Sequence, residues 1–417
     1  MRILVLCACL LLCSGFSGSD SFGQRVNWKA DLETLVTELK DRHPNPFSVV
    51  KEADFDRKAA ELAKRIDSLD RNDATFELME LVALLGDGHT AVRPDFASFR
   101  IFPINVKWFE DGIYVRAIER KHKELVGAKL VAVGDVPAEK IVERFAKFMS
   151  HDNLWGVRKR IDKQFQNAEF LERAGLLDDA NTVTFHFEKD SKPFSVTMKA
   201  VGTKDAKRVR MVNPYAAGLM KESVFLSLLI KDEQGMPFWN EWIKDQKLLY
   251  FKYNQCRNAK TFGELVDGTA GFIAENDVQK FVLDLRDNAG GSSLVFKPLL
   301  DYLLSNDAIN QKGKLFVIVG RDTFSSGIFA ACDMRETNAI FVGEPTSSKP
   351  NHFGEVKTFQ LPSSGLTVEH SSKYFVLVDD DPETFEPDIK IQLSAKDVFG
   401  ARDQALQAIF DYEEGEK

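Results

Sequence analysis

From about residue 203 onward the chain alternates short apolar runs with helical stretches, and few folds accommodate that pattern. Residues 248–253, 281–285, 315–319 and 340–342 are runs of buried-strand type. Helical stretches over 293–304 and 326–336 separate the last three. Strands apolar on both faces need cover on both faces, and helices in the connections supply it. The pattern predicts a sheet with βα crossovers, whose functional loops gather at the carboxyl ends of the strands.

The first part of the chain follows other periods. Leu32, Leu35, Val36 and Leu39 recur at helical spacing, and His43-Pro44-Asn45-Pro46 ends that helix. Phe55, Ala59, Leu62, Ile66 and Leu69 make a second stripe. A third starts at Asp73, read as its N-cap, and runs through Leu78, Leu81, Val82 and Leu85 to Gly86. Gly86-Asp87-Gly88-His89-Thr90 is thus a tight exit from a helix. From about residue 100 the period becomes two: Ile104, Val106 and Trp108 alternate, Asp111-Gly112 turns the chain, and Ile113, Val115 and Ala117 alternate back. Residues 127–135 read as strand then turn, before a helix carrying Ile141, Phe145 and Phe148; a second hairpin pairs Val183, Phe185 and Phe187 with Val196 and Met198. The expected class is α/β and α+β multi-domain: a helical segment over 24–95, an α+β module over 96–202 and an α/β core over 203–417.

Residues 1–23 read as an export signal. Arg2 opens it, residues 3–12 are apolar but too short to span a bilayer, and Ser17-Gly18-Ser19 and Ser21-Phe22-Gly23 have the small-x-small form of cleavage sites. Lipid anchoring at Cys9 or Cys13 is less favoured, because Leu12 stands where a small residue is wanted before Cys13. The expected location is therefore periplasmic or secreted. Cys7, Cys9 and Cys13 lie in this segment, which leaves Cys256 and Cys332 as buried free thiols in no metal-ligand spacing. Fifty-five basic residues against 63 acidic ones, net −8, argue against nucleic acid as a partner. No stable membrane span, metal or organic cofactor is implied, and nothing sets an oligomeric state. The acidic residues 413–416 read as a solvated tail.

Two strand ends could carry chemistry. In Asp284-Leu285-Arg286-Asp287-Asn288-Ala289-Gly290-Gly291-Ser292, paired glycines after a strand let backbone N–H groups turn toward an anion, although they also suit a plain tight turn. Neither a phosphate loop nor a dinucleotide fingerprint is present. In Arg321-Asp322-Thr323-Phe324-Ser325-Ser326-Gly327 a serine stands at a helix start, where the free N–H groups favour negative charge. Serine is also a preferred N-cap at any such turn. Thr323 occupies the leading glycine position of Gly-x-Ser-x-Gly, so this is not the α/β-hydrolase motif. A nucleophilic serine needs a base. Of the seven histidines, His89 sits on the glycine-flanked turn, and Lys349 follows the strand after the Ser325 helix.

Gly-Asp-Gly-His-Thr, Asp-Leu-Arg-x-Asn-x-Gly-Gly, Thr-x-Ser and Gly-Glu-Pro-Thr occur in one order along the chain. Together they resemble the tail-specific protease family (C-terminal processing peptidases), especially its tricorn-like branch. Leu130-Val131-Ala132-Val133-Gly134 is similar to that family's PDZ-like module, and Phe385-Glu386-Pro387-Asp388-Ile389 also matches. The resemblance implies a PDZ-like module, a ClpP/crotonase-like catalytic core and serine endopeptidase activity on exposed or unstructured polypeptide. It implies Ser325 as nucleophile, His89 as general base, and oxyanion N–H groups from Ser326 and the Gly290-Gly291 turn. Lys349 matches the base of the Ser–Lys branch, but Ser348 and Pro350 replace the glycines usual around it. Gly88 stands where tricorn has a serine. The orienting acid falls among Asp381, Glu383 and Glu386. The same likeness extends to retinoid-binding repeats, so a lipophilic-ligand or peptide-binding protein on this scaffold is the alternative.

Overall fold

The computed structural model describes residues 26–413; the segment read as an export signal and the last four residues of the tail lie outside that range. Helix α1 (Trp28–Arg42) begins where the Asn27 side chain accepts the Ala30 N–H, and it buries Trp28, Leu32, Leu35 and Leu39. Helix α2 (Glu52–Ala63) stops short of the full apolar stripe, and a separate 3₁₀ turn places Ile66. Helix α3 (Arg71–Ala83) starts earlier than its sequence suggests. Asp70, not Asp73, is the cap: its extended backbone lets the carboxylate take the Asp73 N–H at 2.9 Å. Gly86 then turns at φ +65°, where a Cβ would meet Val49 at 2.8 Å.

Strand β1 (Ala91–Arg93) leaves this turn and pairs with a strand nearly 280 residues later, Ala91 opposite Glu369. The middle of the chain forms a seven-stranded sheet built on β2 (Ile104–Phe109), β3 (Gly112–Glu119), β4 (Lys129–Val133), β5 (Thr182–Lys189) and β6 (Lys192–Lys199). The two hairpins have the expected registers, with Trp108 opposite Ile113 and Phe185 opposite Val196. Helix α4 (Leu154–Gln164) crosses between β4 and β5. One continuous apolar cluster joins Leu35, Leu78, Phe102, Val115, Phe145 and Phe185, so the first three helices and the middle sheet share a core. Phenylalanines concentrate there: Phe76, Phe99, Phe148 and Phe170 meet ring to ring at 5.2–5.9 Å.

The last part is the α/β core. Its six-stranded sheet runs β7 (Phe238–Ile243), β8 (Leu248–Tyr253), β9 (Lys280–Asp284), β10 (Leu315–Val319), β11 (Ile340–Gly343) and β14 (Ile389–Lys390), parallel from β8 onward. Alternate residues serve opposite faces. Phe281, Leu283 and Val317 pack under α5 (Ala259–Glu275), α6 (Lys297–Ser305) and α7 (Ser326–Asp333), while Val282, Phe316 and Ile318 pack against Leu406 and Ile409 of the C-terminal helix. A hairpin of β12 (His352–Gln360) and β13 (Thr367–Phe375) leaves the core to meet β1. Since β9, β10 and β11 are neighbours, the loops after them adjoin at one end of the sheet. Among the described residues no helix is long and apolar enough to cross a membrane.

Candidate active site

Ser325 lies on the turn from β10 into α7 with φ +52° and ψ −127°. A side chain held there costs roughly 1–3 kcal/mol, and such strain persists only where the surroundings enforce it. Here they do. Thr323 is pinned by donating to the Leu285 carbonyl (2.8 Å) and accepting from the Gly320 N–H (3.0 Å). The Phe324 N–H donates to the Asn288 carbonyl at 2.9 Å. A Cβ on Gly290 would lie 2.8 Å from the Ser325 Cβ, and one on Gly327 would lie 2.6 Å from the Asn288 carbonyl oxygen. The sharp turn is thus reached with a threonine at position 323, because the close glycine comes from the neighbouring loop. The Ser325 Oγ makes no hydrogen bond among the described residues.

The Gly290-Gly291 turn packs directly on this serine, and its N–H groups differ. Gly290 donates to the Asn288 side-chain oxygen at 2.9 Å, so it is not free to bind an oxyanion. Gly291, at φ +137° with the Cys256 carbonyl where a Cβ would be, has no acceptor for its N–H among the described residues. Neither has Ser326, whose hydroxyl donates to the Gly291 carbonyl at 2.7 Å. Two unpaired backbone donors therefore flank the strained serine. Gly290 contributes closeness instead of a donor.

His89 reaches the same place from the other side of the sequence. The pairing of β1 with β13 carries its turn to the core, and the imidazole stacks on Phe324 with centroids 4.3 Å apart. It stacks on its other neighbour, His352, at 5.6 Å. The residue is 7% exposed, and neither ring nitrogen has a hydrogen-bond partner among the described residues. Burial pushes its pKa below the ordinary 6.5, against the upward pull of the Asp152 and Asp87 carboxylates. The ring is neutral at pH 7.

Asp87 is the buried anchor of this turn. One oxygen accepts the His89 N–H at 2.8 Å and lies 3.8 Å from the ring Nδ1. The other accepts from the Thr90 (2.5 Å) and Ser371 (2.6 Å) hydroxyls and from His43 Nε2 (3.1 Å). The Asn45 N–H donates to His43 Nδ1, which leaves the His43 proton on Nε2. Burial alone would raise the Asp87 pKa, but these donors and the nearby His89 hold it down at about 2. A depressed carboxylate stabilises the fold above its ordinary pKa, and that contribution is lost as pH falls through about 2. Asp87→Ala leaves four buried donors without that acceptor: the His89 N–H, the Thr90 and Ser371 hydroxyls and His43 Nε2. We expect it to destabilise the protein by at least about 3 kcal/mol in urea denaturation, more than any other single change in this turn.

The remaining candidates lie elsewhere. Lys349 Nζ pairs with Asp381 at 3.1 Å and Glu383 at 3.4 Å. Burial lowers its pKa, yet the two carboxylates outweigh that and raise it, so it is protonated at neutral pH and unable to accept a proton. The Glu383 carboxylate, 76% exposed, is committed to that pair, and Glu386 pairs with Lys390 at 2.9 Å. None of the three contacts His89 among the described residues. Lys349→Ala should keep activity within about fivefold, the worth of a half-exposed ion pair, as steady-state kinetics would show.

The charged or titratable groups that face the His89 ring are Asp87, Asp152, Arg160 and His352, and the sequence pattern gave none of them a role at this histidine. Asp87 stands in the right motif, but its local sequence marks only a turn. Asp87, His89 and Asp152 bring one ligand atom each within 4.8 Å of one another. Every carboxylate oxygen in that trio already accepts a hydrogen bond from the protein, so the set is built as a hydrogen-bonded support.

No protein-family model matches the chain, and no curated protein matches it. Solved structures do. Mature CPAF is similar at 13% identity and TM-score 0.61, covering 92% of this chain and 95% of that one. Its complex with lactacystin gives 13% and 0.60, over 89% and 95%. The chain shares the CPAF fold. A looser overlap, TM-score 0.43 at 12% identity over 92% of this chain and 96% of that one, is with a photosystem II D1 C-terminal processing protease. The CPAF likeness runs through the helices, the middle module and the core alike, so the mixed, multi-sheet architecture is common to both chains.

Proposed function

We propose that this chain is a serine endopeptidase that cuts exposed or unstructured polypeptide through an acyl-enzyme. The observation that carries the reading is Ser325, strained at φ +52° on a strand-to-helix turn between two unpaired N–H groups, with a neutral, buried imidazole stacked on the preceding residue. In this reading the Ser325 Oγ attacks the scissile carbonyl carbon while His89 takes its proton. The carbonyl oxygen becomes an oxyanion held by the Ser326 and Gly291 N–H groups. As the C–N bond breaks, His89 returns the proton to the leaving amine, and water then hydrolyses the ester by the same route in reverse. His89 and Ser325 are not hydrogen-bonded in the free protein; that contact closes when substrate is bound.

The middle sheet would serve as a PDZ-like module and the last 215 residues as a ClpP/crotonase-like core. Export through the 1–23 segment would put the enzyme in the periplasm or medium. The lipophilic-ligand reading is not favoured: a cleft of about 940 Å³ sets Phe225, Ile391 and Ala401 among six charged side chains, from Lys221 and Glu222 to Arg402 and Asp403, and so offers no continuous apolar wall. A fluorophosphonate probe tests the reading. Covalent labelling mapped to Ser325 supports it, and absence of labelling with intact fold refutes it.

A further inference from the structure

We propose that Asp152 is the positioning residue for the base, so that the middle module aims His89 by clamping the Gly88 peptide units. This deepens the peptidase reading and rests on His89 being its base.

The His89 ring has no hydrogen bond to hold it, so its aim must come from what fixes its backbone and from ring stacking. The two peptide groups that meet at Gly88, the second of which leads into His89, are held from outside the turn. Asp152, just before α4, accepts the Gly88 N–H at 2.6 Å through Oδ1. Arg160, within α4, donates from Nη2 to the Gly88 carbonyl at 2.9 Å. The other Asp152 oxygen accepts from the Ser348 hydroxyl at 2.9 Å, which ties the carboxylate to the loop after β11.

Gly88 explains itself in this arrangement. A Cβ there would lie 2.8 Å from the Asp152 Oδ1 and 3.3 Å from the Phe324 ring. The carboxylate therefore occupies the space that a side chain on residue 88 would fill. An aspartate 64 positions away does from outside what a polar neighbour could do from within the turn. Four charged or titratable groups face the imidazole: Asp87 from its own turn, Asp152 and Arg160 from the α4 segment, and His352 from β12. Asp152 is the carboxylate with the larger upward pull on the His89 pKa, and it stabilises the imidazolium formed when the base takes the serine proton.

Asp152→Asn keeps the shape and an acceptor but removes the charge. Two measurements on the whole protein test it: the rate of fluorophosphonate labelling, and the His89 titration followed by NMR. The labelling rate, and kcat with peptide, should fall roughly 10- to 100-fold while KM changes less than about threefold, as expected for a misaimed catalytic group. The His89 titration should move down by about 0.5 pH or more. A labelling rate within about threefold of the parent, or an unmoved His89 titration, would overturn the proposal. The NMR measurement needs no activity, so it decides the matter even if the parent protein is not labelled. If Asp152→Asn does not fold, Ser348→Ala removes one support of the carboxylate, and the same two readouts apply. A several-fold slower rate at an unchanged thermal midpoint supports the clamp, and an unchanged rate opposes it.

Discussion

Ser325→Ala should eliminate both probe labelling and peptide cleavage while leaving stability within about 1 kcal/mol of the parent. In the proposed reading the activity loss follows from removing the nucleophile, the hydroxyl at the strained turn that has no hydrogen-bond partner among the described residues. The small stability change has its own reason: the Ser325 hydroxyl makes no capping hydrogen bond, so alanine forfeits none and inherits the same backbone strain. Intact-protein mass spectrometry after probe treatment, with thermal denaturation alongside, reads both quantities. Labelling that persists on Ser326 would overturn the assignment. Its hydroxyl is engaged with the Gly291 carbonyl, which is why we expect none.

His89→Ala should lose roughly a thousandfold or more in kcat, the scale on which removal of a triad base acts. The pH profile provides an independent check. A base works only when deprotonated, so activity falls as pH drops through its pKa. Burial holds that pKa below 6.5, which places the acidic limb below that ordinary histidine value. A lysine base would give the opposite picture, with a limb well above neutrality, and Lys349, paired with two carboxylates, has its pKa raised further from that role. A profile rising only above pH 8, together with an inactive Lys349→Ala, would transfer the base to Lys349.

Much of the site's raw material was readable along the chain. The strand–helix alternation placed three loops at one end of a sheet, and those after β9, β10 and β11 do adjoin. The Gly86 exit, the Gly290-Gly291 turn and the serine at the start of α7 each answer to a local backbone demand. Other features were illegible for a common reason. Helix α4 looks like an ordinary amphipathic stretch, and nothing near Asp152 marks it as bound for residue 88. The loss of Gly290 as an oxyanion donor depends on where the Asn288 side chain turns. The acids sought for His89 after residue 380 instead neutralise Lys349 and Lys390.

By itself, the sequence determined the elements and the positions where the backbone must bend sharply, because periodicity, capping and glycine's access to positive φ act over a few residues. Tertiary structure alone decided which carboxylates face the imidazole, which N–H groups stay unpaired and which lysine is neutralised. Those depend on contacts such as Ala91 with Glu369, Gly88 with Asp152 and Ser348 with Asp152, closed across 64 to 278 residues by packing. Electrostatics and hydrogen bonding act through a few ångströms of space, and no spacing along the chain encodes which distant groups the fold will bring that close.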